Sequence, residues 1–143
     1  MRLRRKGLAS ARTVTGEEVM GTRDALVTGD REVRWEQILT ADWDADSGTL
    51  RVALVEPEIL LFELVEPALL LQLVRERVTA SVVLSRRIPL EDGLGFVLMA
   101  RRPPAGGEVS FTCEYDQGVD PDSPEVLEAA RTAVRSARDE LGL

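Results

Sequence analysis

The chain contains no histidine and no asparagine, and it has one lysine and one cysteine. Without imidazole there is no Ser-His or Cys-His pair, no histidine general base and no histidine ligand for zinc or iron. The single thiol, Cys113, excludes a disulfide framework or a cysteine metal cluster within the chain, and fits an intracellular setting. No apolar run is long enough to span a membrane, and the basic start "MRLRRKGLAS" lacks the apolar stretch of a signal peptide. The expectation is a cytoplasmic protein without stable membrane insertion. Of the 18 basic residues all but Lys6 are arginine, which reads as the codon bias of a GC-rich genome. A formal net charge of −7 argues against nucleic acid as a partner, because that binding is driven by neutralising phosphates.

What is present is a chain of 143 residues with 44% hydrophobic content, enough for one domain or two small lobes. Residues 41–48, "ADWDADSG", place Asp42, Asp44 and Asp46 at alternate positions ahead of a glycine. A calcium loop counted from Asp42 would need glycine at its sixth position and glutamate at its twelfth, and finds Ser47 and Ala53. Apolar and acidic residues alternate before the turn, and "TLRVALV" alternates after it, so the stretch reads as a β-hairpin. A two-residue Ser47-Gly48 turn would pair Asp46 with Thr49, Asp44 with Arg51 and Trp43 with Val52.

Around this hairpin, short alternating stretches at residues 8–13, 17–22, 25–28, 32–35 and 58–64 bring the strand count to about seven. Pro67 then opens an amphipathic helix whose apolar arc takes in Leu69, Leu70, Leu71, Leu73, Val74 and Val78. This order, with "GTRDALVTGDREVRWEQILTADWDADSGTLRV" followed by "LFELVEPALLLQLVRERV", resembles bacterial pleckstrin-homology-like (PH-like) or GRAM-like domains over about the first 80 residues. The stretches "TRDAL", "ADWD" and "LVRERV" also resemble an uncharacterised actinobacterial family over most of the chain. The resemblance implies a small β-barrel or sandwich closed by a helix, and it implies no catalytic residue. The "TVTGEE" loop at residues 13–18, where phosphoinositide-binding PH domains are basic, is acidic here.

From residue 79 the plan changes. Three strands at about residues 80–90, 93–103 and 108–116, joined by "EDG" and "PAGG", form an antiparallel meander. Ser123 offers an N-cap, with Pro124 at the first helical position, for a helix to about Leu141. Its apolar arc of Val126, Leu127, Ala130, Ala133, Val134, Ala137 and Leu141 should cover one face of the meander. The expected organisation is α+β: a PH-like lobe at 1–78, and a βββα lobe at 79–143 packed against it.

Two groups of residues stand out as candidate sites. In "EILLFEL", Leu60, Phe62 and Leu64 form one apolar face while Ile59 and Leu61 form another, so both faces need covering. The second cover is either the meander or a protein partner, including a second copy of the chain. Arg86, Arg87, Arg101 and Arg102 would approach one end of the meander if residues 84–87 lie near 99–102, offering a patch for a small anion. Lesser candidates read as structural: Arg2, Arg4, Arg5 and Lys6 as a frayed terminus, Asp116, Asp120 and Asp122 as helix-start acids, and Cys113 as a packing thiol between Phe111 and Tyr115. No residue set here assembles a catalytic, metal or cofactor site. The reading is a non-enzymatic interaction or oligomerisation module, with a binding domain for a small anion as the alternative.

Overall fold

Alternating apolar residues punctuated by glycine and charged turns give seven strands before the first helix. They are β1 (Gly7–Thr13), β2 (Glu18–Thr22), β3 (Ala25–Thr28), β4 (Arg31–Arg34), β5 (Ile38–Asp44), β6 (Thr49–Leu54) and β7 (Ile59–Val65). Helix α1 (Ala68–Ser81) follows, then β8 (Val82–Pro89), β9 (Gly95–Arg101), β10 (Ser110–Tyr115) and helix α2 (Pro124–Glu140). The computed structural model describes residues 7–143, and within them the fold is α+β: a seven-stranded antiparallel sheet, a three-stranded antiparallel sheet and two helices. The chain divides into two compact units, one reaching to Ser81 and including Arg102–Glu108, the other formed by Val82–Arg101 and Val109–Leu143.

In the first unit the strand order is β4-β3-β2-β1-β7-β6-β5. The sheet is not a closed barrel, one of the two forms that the resemblance implies. Its terminal strands β4 and β5 are not paired with each other; a 3₁₀ turn at Trp35–Gln37 joins them instead. Trp35 is fully buried there, and its indole Nε1 donates to the Thr22 carbonyl oxygen at 3.0 Å. Around it Val19, Leu26, Ile38, Leu50, Val52, Leu70 and Val74 form one continuous core. Each such side chain contributes about 1.5–3 kcal/mol by leaving water.

Helix α1 packs against β1, β2 and β5, so it touches both the middle and one edge of the sheet. Gly21 on β2 permits this approach: a Cβ there would lie 2.5 Å from Leu73 Cδ2. The buried arc of α1 centres on Leu70, Val74 and Ser81, with Leu71 and Val78 at its side. Leu69, expected on that arc, lies about 120° from its centre at 100° per residue and is 72% exposed. Arg77 sits half-buried beside the arc, because the helix runs on to Ser81.

The β5–β6 hairpin forms with a register two residues from the expected one. Asp44 pairs with Thr49, Asp42 with Arg51, Trp43 with Leu50 and Ala41 with Val52. The turn holds four residues because the Asp44 carboxylate accepts from the backbone N–H of Asp46 (2.9 Å) and Ser47 (3.4 Å), and Gly48 takes the left-handed φ of 67°. A two-residue turn would ask for positive φ at Ser47 as well. A shift of two keeps every side chain on its expected face, so Leu50, Val52 and Ala41 still meet the core, while Trp43 nearer the turn is 37% exposed.

In the second unit β9 is central, flanked by β8 and β10. Helix α2 begins where the sequence places it, the Ser123 hydroxyl accepting from the Val126 N–H at 3.3 Å with Pro124 in the first turn. Ala133 and Ala137 let it lie close over Phe96 and Leu98. Phe111, Cys113 and Tyr115 of β10 complete this small core, with the Phe96 and Tyr115 rings 5.4 Å apart between centroids. Leu127, expected on the apolar arc, is 38% exposed.

Candidate functional site

Strand β7 is apolar on both faces for a reason visible in its register. Leu60, Phe62 and Leu64 pack into the first unit's core, and alternation turns Ile59, Leu61 and Val65 to the outer face. There Ile59 is 51%, Leu61 65% and Val65 51% exposed. Pairing sets their neighbours: Ala53 lies opposite Ile59, Arg51 opposite Leu61, and Arg12 of β1 opposite Val65. Glu63 interrupts the stripe opposite Thr49. The result is an apolar row on a sheet face, bordered by arginine and glutamate, which is how a protein contact surface is built: an apolar centre with a charged rim.

The four arginines of the candidate anion patch are placed apart. The "EDG" turn leaves Leu90 and Leu94 as its closing pair, the Leu90 N–H donating to the Leu94 carbonyl at 2.8 Å. Residues 84–87 therefore pair with 97–100, not 99–102, and Arg101 stands opposite Val82. Four residues of strand separate Arg101 from Val97, the partner of Arg87, about 13 Å at 3.3 Å per residue. Arg86 points to the helix side and binds Glu140 at 2.5 Å. Arg87 takes the other face and grips Asp116 with both guanidinium nitrogens, at 2.6 and 3.2 Å. That bond raises the Arg87 pKa and holds the Asp116 carboxyl below its ordinary range. Arg101 is buried, and loss of water lowers its pKa while nearby Glu114 offsets part of the effect. Arg102 is exposed and belongs to the other compact unit.

The remaining candidates have structural roles where they are described. Asp116 serves as the partner of Arg87, and Asp120 accepts from the Asp122 N–H at 3.0 Å ahead of α2. Burial pushes the Cys113 thiol pKa up, against a smaller opposing hydrogen bond with Tyr115, so the thiolate that would act as nucleophile is disfavoured. Among the described residues no group of three or more cysteine, aspartate or glutamate side chains is arranged to hold a metal ion. No helix among them is long and apolar enough to cross a membrane. The basic run of Arg2, Arg4, Arg5 and Lys6 lies outside the described residues.

Two concavities were not legible in the sequence. A shallow cleft of about 770 Å³ at the start of α2 is lined by Leu90, Leu94, Val119 and Val126, with Glu91 and Glu125 on its rim. A groove of about 450 Å³ in the first unit runs between β5 and α1, with Trp43, Leu50, Leu71, Val74 and Val78 in its walls and Arg75 at its edge. The one available signal for the groove was Trp43, a large aromatic residue on the apolar side of a strand whose sequence neighbours are alanine and aspartate.

Comparison of the chain with protein-family models, with curated proteins and with solved structures gave no match.

Proposed function

We propose that this protein is a non-enzymatic interaction module whose contact surface is the outer face of β7, and that its first unit is a PH-like domain. The observation that carries the reading is the exposure of Ile59 and Leu61, 51% and 65%, on a strand paired with β6 rather than at a loop or terminus. Scattered exposed apolar side chains are ordinary, but a row of them on a flat sheet face loses more by remaining wet than by being covered. Seven antiparallel strands followed by one helix support the PH-like assignment. The sequence stretches quoted above favour membership of the uncharacterised actinobacterial family, and the single cysteine favours a cytoplasmic location.

The occupant of this surface is a protein, either a partner or a second copy of the chain. A small-anion site is the weaker reading, since Arg86 and Arg87 each already hold a carboxylate and Arg101 is buried. The test is the double substitution Ile59→Glu with Leu61→Glu. Both side chains are half exposed or more, so the variant should keep the wild-type urea midpoint to within about 1 kcal/mol of stability. It should lose self-association in light scattering, or lose the partner that wild type retains in a pull-down from host lysate. A variant that unfolds would make these positions part of the core, and a folded variant that keeps all its associations would remove β7 from the function.

A further inference from the structure

The groove between β5 and α1 is separate from the outer face of β7: it opens on the helix side of the sheet. Three features converge on it. Its walls are mostly apolar, from Trp43 and Leu50 on the strands to Leu71, Val74 and Val78 on the helix, with Gln72 and Thr79 beside them. Its volume, about 450 Å³, falls in the range that holds a ligand group. Its bordering strand is the last of the sheet, with no strand beyond β5 among the described residues. On a terminal antiparallel strand every second residue turns its N–H and C=O away from the neighbouring strand, so residues 40–44 offer a ladder on which an extended chain can pair.

Charge selects the occupant. Arg75 is the one charged residue lining the groove, in a protein whose formal net charge is −7. Asp42 and Asp44 turn to the opposite face of β5, away from Trp43. A second copy pairing its own β5 here would bring its Asp42 and Asp44 beside these, and like charges on adjacent strands are unfavourable.

We propose that this groove docks an extended peptide segment of a partner protein, added to the sheet along β5. The segment drops one large apolar side chain between Trp43 and Val78 and presents an aspartate or glutamate side chain to Arg75. Backbone pairing supplies affinity that is indifferent to sequence, while the apolar wall and the guanidinium supply selectivity.

The test uses the full chain and a display library of random twelve-residue peptides, with selected peptides measured by fluorescence anisotropy. The expected result is a consensus with one large apolar residue and one acidic residue at fixed spacing. Binding of that peptide should fall about tenfold or more in Arg75→Glu, as for loss of a charge-assisted bond, and recover in part when the peptide's acid is replaced by lysine. N-methylation at alternate backbone positions of the peptide should abolish binding, while side-chain contacts alone would survive it. The Ile59→Glu, Leu61→Glu variant should bind the peptide as wild type does, which separates this site from the β7 surface. Absence of any consensus, binding unchanged by Arg75→Glu, or binding unchanged by N-methylation would overturn the proposal. A dimer of the chain itself that Arg75→Glu dissolves would do so as well, by putting a second copy in the groove.

Discussion

The two units solve the same problem, covering an antiparallel sheet with one helix, at different scales. In the second unit α2 presents alanines to Phe96 and Leu98, and the arginines of β8 are taken up by Glu140 and Asp116. In the first, seven strands share one fourteen-residue helix, and α1 packs mainly on β1, β2 and β5 among them. A helix about 21 Å long at 1.5 Å per residue cannot cover a sheet whose seven strands lie about 4.8 Å apart. Apolar surface is left on both sides of this sheet, as the row on the outer face of β7, which the helix does not cover, and as the groove where α1 meets β5.

The difference predicts where each unit is vulnerable. Trp35→Ala should be the most damaging single change, about 3–5 kcal/mol, because it empties the centre of the larger core and removes the donor to the Thr22 carbonyl. Urea unfolding followed by amide exchange would show the loss, with protection falling across β2, β3 and β5. Retention of wild-type stability would mean that the 3₁₀ turn joining β4 to β5 is held by something other than this side chain. A smaller effect belongs to the second unit, where Ser123→Ala removes the cap of α2 and should cost about 1 kcal/mol. Thermal unfolding would measure it, and Ser123→Asp should restore most of the difference by accepting the same N–H and favouring the helix dipole.

Much of this architecture is legible in the residues. All ten strands and both helices announce themselves through alternation, Pro67, and the Ser123-Pro124 start. What fails is register in the two hairpins that carry the candidate residues, and in each the error is two residues. In the first, Asp44 folds back on the turn and lengthens it from two residues to four, which a count of turn-forming residues does not show. In the second, the closing pair Leu90 and Leu94 sets residues 84–87 against 97–100. Even-numbered slips preserve the faces, so the core was readable while the convergence of Arg86, Arg87, Arg101 and Arg102 was not. The groove beside β5 was hidden for another reason. It depends on which strand ends the sheet and on how α1 lies across it, and neither is written in any one segment.

The smallest effect tests whether the second unit's ion pairs are the settled structural bonds that this contrast makes them. The Asp116 carboxyl is held below its ordinary range first by its hydrogen bond to Arg87, with the guanidinium charge and the Gly95 N–H adding to it. A carboxyl depressed in the folded state stabilises the fold above its unfolded titration range, and loses that contribution as pH falls through the lower, folded value. The stabilisation should therefore be intact near neutrality and fade only below about pH 4. Arg87→Gln removes the charge and the paired donors. The Asp116 midpoint, followed by carboxyl carbon chemical shift, should then rise toward the ordinary aspartate range. Stability near neutrality should change little, because both side chains are solvent accessible and water screens their attraction. A midpoint that does not move would mean that Arg87 is free to serve another anion, and would reopen the arginine face of β8 as a binding surface.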